Sequence, residues 1–226
     1  MSAALVLGLT IATAPGASAA GEPVDVTGYS VKDVVFGKSG CKMLDVKVAR
    51  KVASDVEDFT LMADVTRSGY IATSAFFFDG ATADRIQVCS SDGLGAFKVG
   101  PTEVSAYTVD AEDNFELFDY VDTTSKTFYV RGQAKAYLGA KRSGSKVTLT
   151  ATAKYYNPTA YGYSKYSPKK AKIQRKTSTG WKTIKTIDLK SGKATYTLKN
   201  SKKATYRVTF GQTSKVTAAT SASEKK

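Results

Sequence analysis

Five tyrosines fall within fourteen residues at 155–168, YYNPTAYGYSKYSP, interleaved with Asn, Thr, Gly, Ser and Pro. Tyrosine offers rigid contact area at low entropy cost, and Ser, Gly and Asn adapt their hydrogen bonds to a ligand. Aromatic faces beside hydroxyl and amide groups suit sugar rings, and neighbouring lysines add contacts to anions. The candidate binding set is therefore Tyr156, Tyr161, Tyr163, Lys165, Tyr166, Lys169 and Lys170. The plainer reading is that Tyr155 caps a core and the other tyrosines cover a long loop. Aromatics interleaved with lysine can also stack bases, but no nucleic-acid motif accompanies them.

A second cluster is acidic. Asp110, Glu112 and Asp113, followed by Asn114, form a tip of hard oxygen donors of the kind that holds Ca²⁺. The spacing of a helix–loop–helix calcium site is absent, and the ends of sandwiches are often acidic without binding anything. Asp55, Glu57 and Asp58 repeat the pattern. No other cofactor is expected. The chain contains no histidine, which excludes Ser-His-Asp and Cys-His catalysis and His-ligated zinc. An enzyme would have to use carboxylates, lysine or tyrosine. A glycosidase-type carboxylate pair could sit only in the first half, because the second holds just Asp188 and Glu224. Cys41 and Cys89 are the two cysteines, and in an exported protein a disulfide between them is the default.

The elements that must position these residues read as strands. Leu44, Val46 and Val48 alternate with polar residues, as do Phe59, Leu61, Ala63 and Val65. Residues 22–30 read as an entry arm, Phe97 and Val99 as a fragment, and residues 104–109 and 115–121 as the closing strands of the first half. The polar residues 122–126 read as a link. Residues 128–138 then open the second half as one strand, followed by Val147, Leu149, Ala151 and Ala153 alternating with three threonines. Tyr206, Val208 and Phe210 alternate with Thr205, Arg207 and Thr209. Trp181, just after a glycine turn, is expected in the core or against that turn. No segment shows a helical period, so sandwiches are expected throughout.

The run from Lys172 to Ser214, KIQRKTSTGWKTIKTIDLKSGKATYTLKNSKKATYRVTFGQTS, resembles an immunoglobulin-like domain common in secreted actinobacterial proteins. The likeness rests on a strand ending in Gln and a basic residue, a turn, Trp181, a Gly turn and the closing YRVTFGQTS, and spans about residues 122–220. It implies a fold and brings no catalytic residue with it. Residues 22–121 show no comparable likeness.

The N-terminus reads as an address. Residues 3–14 are apolar, Pro15 and Gly16 break the run, and Ala17-Ser18-Ala19 is a small-x-small cleavage site. The basic start of a signal peptide is missing, and a short buried helix or a membrane span is the alternative. No later segment is long and apolar enough to span a bilayer, and no sorting signal for covalent wall anchoring closes the chain.

Charge is sharply divided. Residues 22–127 carry 10 Lys and Arg against 18 Asp and Glu, and residues 128–226 carry 23 against 2. A net of −8 thus faces a net of +21, within a chain of net +13. Such asymmetry points to a polyanionic partner for the basic half, such as a cell-wall polymer or anionic head groups. Outward lysines also simply keep strand edges soluble, and the two halves could attract each other.

The expectation is an all-β protein of two consecutive immunoglobulin-like β-sandwich domains after a signal peptide. Its parts are a signal peptide (1–19), an acidic domain (22–121), a basic domain (122–220) and a disordered tail (221–226). The expected role is secreted, extracellular and non-enzymatic: binding the cell envelope or another anionic polymer or carbohydrate. An adaptor in a secreted assembly ranks second and a carboxylate-based hydrolase third.

Overall fold

A computed structural model describes residues 21–78 and 80–226. The expected signal peptide lies outside the described residues. The chain is all-β. In order, the strands are β1 (Val24–Ser30), β2 (Val34–Phe36), β3 (Cys41–Val52), β4 (Val56–Arg67), β5 (Tyr70–Phe77), β6 (Ala83–Cys89), β7 (Gly95–Val109), β8 (Phe115–Asp122) and β9 (Lys126–Gly132). They continue as β10 (Ala134–Ser143), β11 (Lys146–Asn157), β12 (Gly162–Lys165), β13 (Ala171–Thr177), β14 (Gly180–Ile187), β15 (Lys193–Lys199), β16 (Thr205–Phe210), β17 (Ala219–Thr220) and β18 (Glu224–Lys225).

The first half packs the sheet β1-β3-β6 against the sheet β2-β9-β7-β4-β5, with β8 also paired to β7. Side chains point alternately to the two faces of a strand, and one face is closed by the opposite sheet. On β4 this buries Phe59, Leu61, Ala63 and Val65, and on β3 it buries Val46 and Val48. Phe77, Phe97, Phe128 and Ile86 fill the middle. Full burial of one such side chain contributes about 1.5–3 kcal/mol. Cys41 faces Cys89 directly across the β3–β6 pair, and the two are joined as a disulfide.

The second half has its own cluster of buried hydrophobics. Its chain runs β10–β11 in one sheet, crosses to β13–β14, returns as β15 onto β11, and crosses again to β16. That is the immunoglobulin-like Greek-key order. Val147, Leu149, Ala151 and Ala153 are fully buried on β11, as the alternation requires. Asn200 Nδ2 donates to the Tyr206 hydroxyl at 2.7 Å, pinning the corner that leads into β16. Buried tyrosines find such partners because an unmet hydroxyl is costly.

Five local readings are corrected. The entry arm is strand β1, paired along β3. Phe97 and Val99 are not a fragment but belong to β7, which runs unbroken through residues 95–109. Residues 128–138 are not one strand: β9 pairs with β7 and β2, and Phe128 and Val130 lie in the first cluster. The change between clusters comes at Gln133, where β10 begins to pair with β11, and not at the polar link; Asp122 there is buried and accepts from Val26 N–H at 2.8 Å. Finally, residues 221–226 are ordered against the edge of β16. Ser221 exchanges backbone and side-chain hydrogen bonds with Val208, Glu224 and Lys225 pair with Tyr206 and Thr205, and Lys226 bonds to Ala204. The polar tail is held because it satisfies an open strand edge.

Candidate functional site

The tyrosine-rich segment is a hairpin. Asn157 accepts from Thr159 N–H at 3.2 Å and caps a short 3₁₀ turn at Pro158–Ala160. Tyr161 turns the chain in the left-handed region at φ 51°, and β12 folds back on the end of β11, pairing Tyr156 with Tyr163. Strand alternation then sends neighbouring tyrosines to different places.

Tyr156, expected to face a ligand, is 1% exposed and packs in the core of the first half. Its hydroxyl meets Ser39 Oγ at 3.0 Å. It is a structural plug between the halves. Tyr163 packs edge-on against it at 6.3 Å and donates to Gln133 Oε1 at 2.6 Å, with the Lys135 ammonium 3.9 Å from its ring centre. Tyr155 packs against both clusters and contacts Tyr166 at 5.6 Å, and Tyr166 contacts Phe210 at 5.5 Å. Tyr161 alone stands in solvent, at 83% exposure. Most of the aromatic segment therefore seals a junction, and only its rim is free to touch a ligand.

The junction is fastened by Arg131. Its Nη1 meets Asp33 Oδ2 at 2.5 Å, and its Nε donates to Thr213 C=O at 2.7 Å. Burial alone would raise the Asp33 pKa, but the Arg131 side chain and the Tyr129 N–H outweigh it and hold the carboxyl below its usual value. Gly132 donates to Lys215 C=O at 2.9 Å and accepts from Thr217 N–H at 3.1 Å. A Cβ on Gly132 would stand 2.2 Å from Tyr156 C=O, so only glycine fits this crossing.

Beside the junction lies a cleft of about 640 Å³. Arg67 and Leu94 come from the first half. Tyr155, Asn157, Lys165, Tyr166 and Ser167 come from the hairpin, and residues 213–216 close the far wall. Three cations line it, Arg67, Lys165 and Lys215, and among the described residues no carboxylate, histidine or cysteine does. Amide and hydroxyl groups from Asn157, Thr159, Ser167, Thr213 and Ser214 complete the wall. The arrangement can hold a negatively charged, hydroxyl-rich group between aromatic edges, and it lacks a general base of the carboxylate or imidazole type.

Of the residues singled out by sequence, the cleft gathers Lys165 and Tyr166. Lys169 and Lys170 stand outside it on an exposed turn, where Lys170 N–H donates to Asp188 at 2.7 Å. Arg67 and Lys215 were missed. They are 148 residues apart and nothing local marks either, although Lys215 follows directly on the run that carries the immunoglobulin-like likeness. Trp181 is partly buried outside the second cluster, with the Arg207 guanidinium 4.2 Å from its ring centre.

At the acidic tip, Asp110 accepts from the backbone N–H groups of Glu112 and Asn114 at 2.9 Å each and from Asn114 Nδ2. The Asn114 side chain, then its backbone, holds the Asp110 carboxyl below the usual range. The carboxylate is thus turned onto its own loop. Among the described residues no three acidic, His or Cys side chains converge on one point. No described helix is long and apolar enough to cross a membrane.

The lysines of the second half are spread over the outward faces of β10, β13, β14 and β15, and do not form one stripe. Among the described residues, none of them lies within 4.0 Å of a carboxylate. Their charges are exposed and outnumber the acids of this half by 23 to 2, counting arginine with lysine.

Fold and cleft together define a class: an all-β protein with two buried hydrophobic clusters and, where they meet, a groove lined by cations with no carboxylate among the described residues. No family model matches the chain, and no curated protein matches it. Among solved structures it is similar to the D0-D1 domain of Intimin, at a TM-score of 0.27 and 13% identity over 88% of this chain and 97% of that one. It is similar also to the D00-D0 domain of Intimin, at 0.26 and 13% over 89% and 97%. Likenesses this loose say nothing about what the groove holds.

Proposed function

We propose that this is a secreted, non-enzymatic binding protein that holds a segment of an anionic extracellular polymer in the junction cleft. We take the two hydrophobic clusters as two consecutive domains that meet at Gln133. The observation that carries the reading is the lining of the cleft: Arg67, Lys165 and Lys215 around aromatic and hydroxyl groups, with no carboxylate among them. Diffuse positive charge on the second half draws a polyanion in, and the cleft supplies short-range contacts. The disulfide supports an oxidising compartment. Charge-assisted hydrogen bonds to anionic oxygens are the strong ones, at roughly 1.5–3 kcal/mol each.

The test is retention on purified cell-wall sacculi and on a teichoic-type polymer across a salt series. The reading expects retention at low salt and steep release as ionic strength rises, because exposed contacts are screened beyond a Debye length of about 8 Å at physiological salt. Retention that is unchanged by salt, or absent at low salt, would refute it. An adaptor role in a secreted assembly is the second reading. It is favoured by one feature of the first half, the exposed Phe115 and Leu117 on β8, each 68% accessible.

A further inference from the structure

Strand β8, FELFDYVD, is paired to β7 along one edge, and among the described residues nothing pairs with its other edge. An open edge of this length presents a row of unmet N–H and C=O groups, and proteins usually blunt such edges with lysine, proline or a bulge. β8 has none of these. Its outward side chains are instead Phe115, Leu117, Asp119 and Val121, next to Tyr107 on β7. The charge around it has one sign. Residues 54–66 hold four acids and residues 99–125 hold seven, with no Lys or Arg in either stretch. Glu116 and Asp119, exposed on β8, make pairing with another β8 repulsive, since like charges face across the ladder. The same residues favour a cationic strand.

The chain carries such a strand. β14, GWKTIKTI, is also eight residues long, pairs among the described residues only with β13, and exposes Lys182 and Lys185, while Ile184 and Ile187 pack against its own core. Within one molecule β8 and β14 belong to different sheets and do not pair. We propose that β8 is a docking edge for β14 of a second copy, so that the acidic half of one molecule adds a basic strand from the next. The contact is heterologous: the two surfaces are different, and each molecule has one of each. It either repeats head to tail or closes reciprocally, with each copy giving one strand and receiving the other. None of the residues involved lines the cleft, so this association stands or falls apart from polymer binding.

Sedimentation velocity on the purified protein tests it. The weight-average sedimentation coefficient should rise with concentration at low salt and return to that of a monomer at about 0.5 M salt, where the Debye length is below ~5 Å. Reversing β8 with Glu116→Lys and Asp119→Lys should abolish the rise, as should reversing β14 with Lys182→Glu and Lys185→Glu. Circular dichroism should show both variants folded, since all four residues are exposed. Mixing the two variants should restore association, because each reversed edge then meets its complement in the other molecule. A monomer at every concentration, association that survives either reversal, or a mixture that stays monomeric would overturn the proposal.

Discussion

The two halves follow one plan and are stabilised by different means. The first has a thick core with Phe36, Phe59, Phe77, Phe97 and Phe128, and a disulfide across β3 and β6. The second has a smaller core in which Ala134, Ala151, Ala153 and Ala171 are buried, and it has no cross-link. It relies on the Tyr206 corner, on the tail strands against β16 and on its seam with the first half. Two sheets can be closed by large side chains or by close approach of small ones. The second solution leaves less apolar area, so edges and junctions carry more of the stability.

The comparison is broken most strongly at the disulfide. Replacing Cys41 and Cys89 by serine opens a link across 48 residues and should cost about 4 kcal/mol on the chain-entropy model. Calorimetry should show the loss in the first half, with β13–β16 amide protection nearly unchanged. Equal loss of protection in both halves would mean they unfold as one unit.

The seam comes next. Arg131→Ala removes the bonds to Asp33 and Thr213 and should cost about 2 kcal/mol. This should be read as faster exchange at Gly132, Thr213 and Thr217. Because Asp33 has a lowered pKa in the folded protein, its contribution is fully present above the unfolded value of 3.8. It is lost as pH falls through the lower folded value. Wild type should therefore lose seam protection below about pH 4, and Arg131→Ala should show a flatter acid limb.

Tyr206→Phe sharpens the comparison gently. It keeps the ring and removes the partner of Asn200, and should cost about 1 kcal/mol, confined to the second half. No change in urea midpoint would show that the corner is incidental.

Much of the fold is legible in the residues, because alternation is local. Thr148, Thr150 and Thr152 against Leu149 and Ala151 dictate which face of β11 is buried, and the structure agrees. The disulfide follows from there being two cysteines. The site is less legible, because its geometry is tertiary. Tyr156 looks like its neighbours, yet it lies near the end of β11, where that strand reaches the other half's core. Lys225 and Glu224 look like a loose tail, and the edge that holds them is set by β16, some 20 residues away. Arg67 meets Lys215 across one cleft with no trace of it in sequence spacing.

The measurement that bears most directly on the cleft compares two pairs of substitutions that change net charge equally. Lys165→Glu with Lys215→Glu alters the cleft; Lys172→Glu with Lys199→Glu alters exposed strands outside it. Affinity for an anionic wall polymer at physiological salt should fall by about tenfold or more in the first pair, a loss of at least ~1.4 kcal/mol. It should fall only slightly in the second. Equal losses in both would show that charge alone draws the polymer and that the cleft recognises nothing.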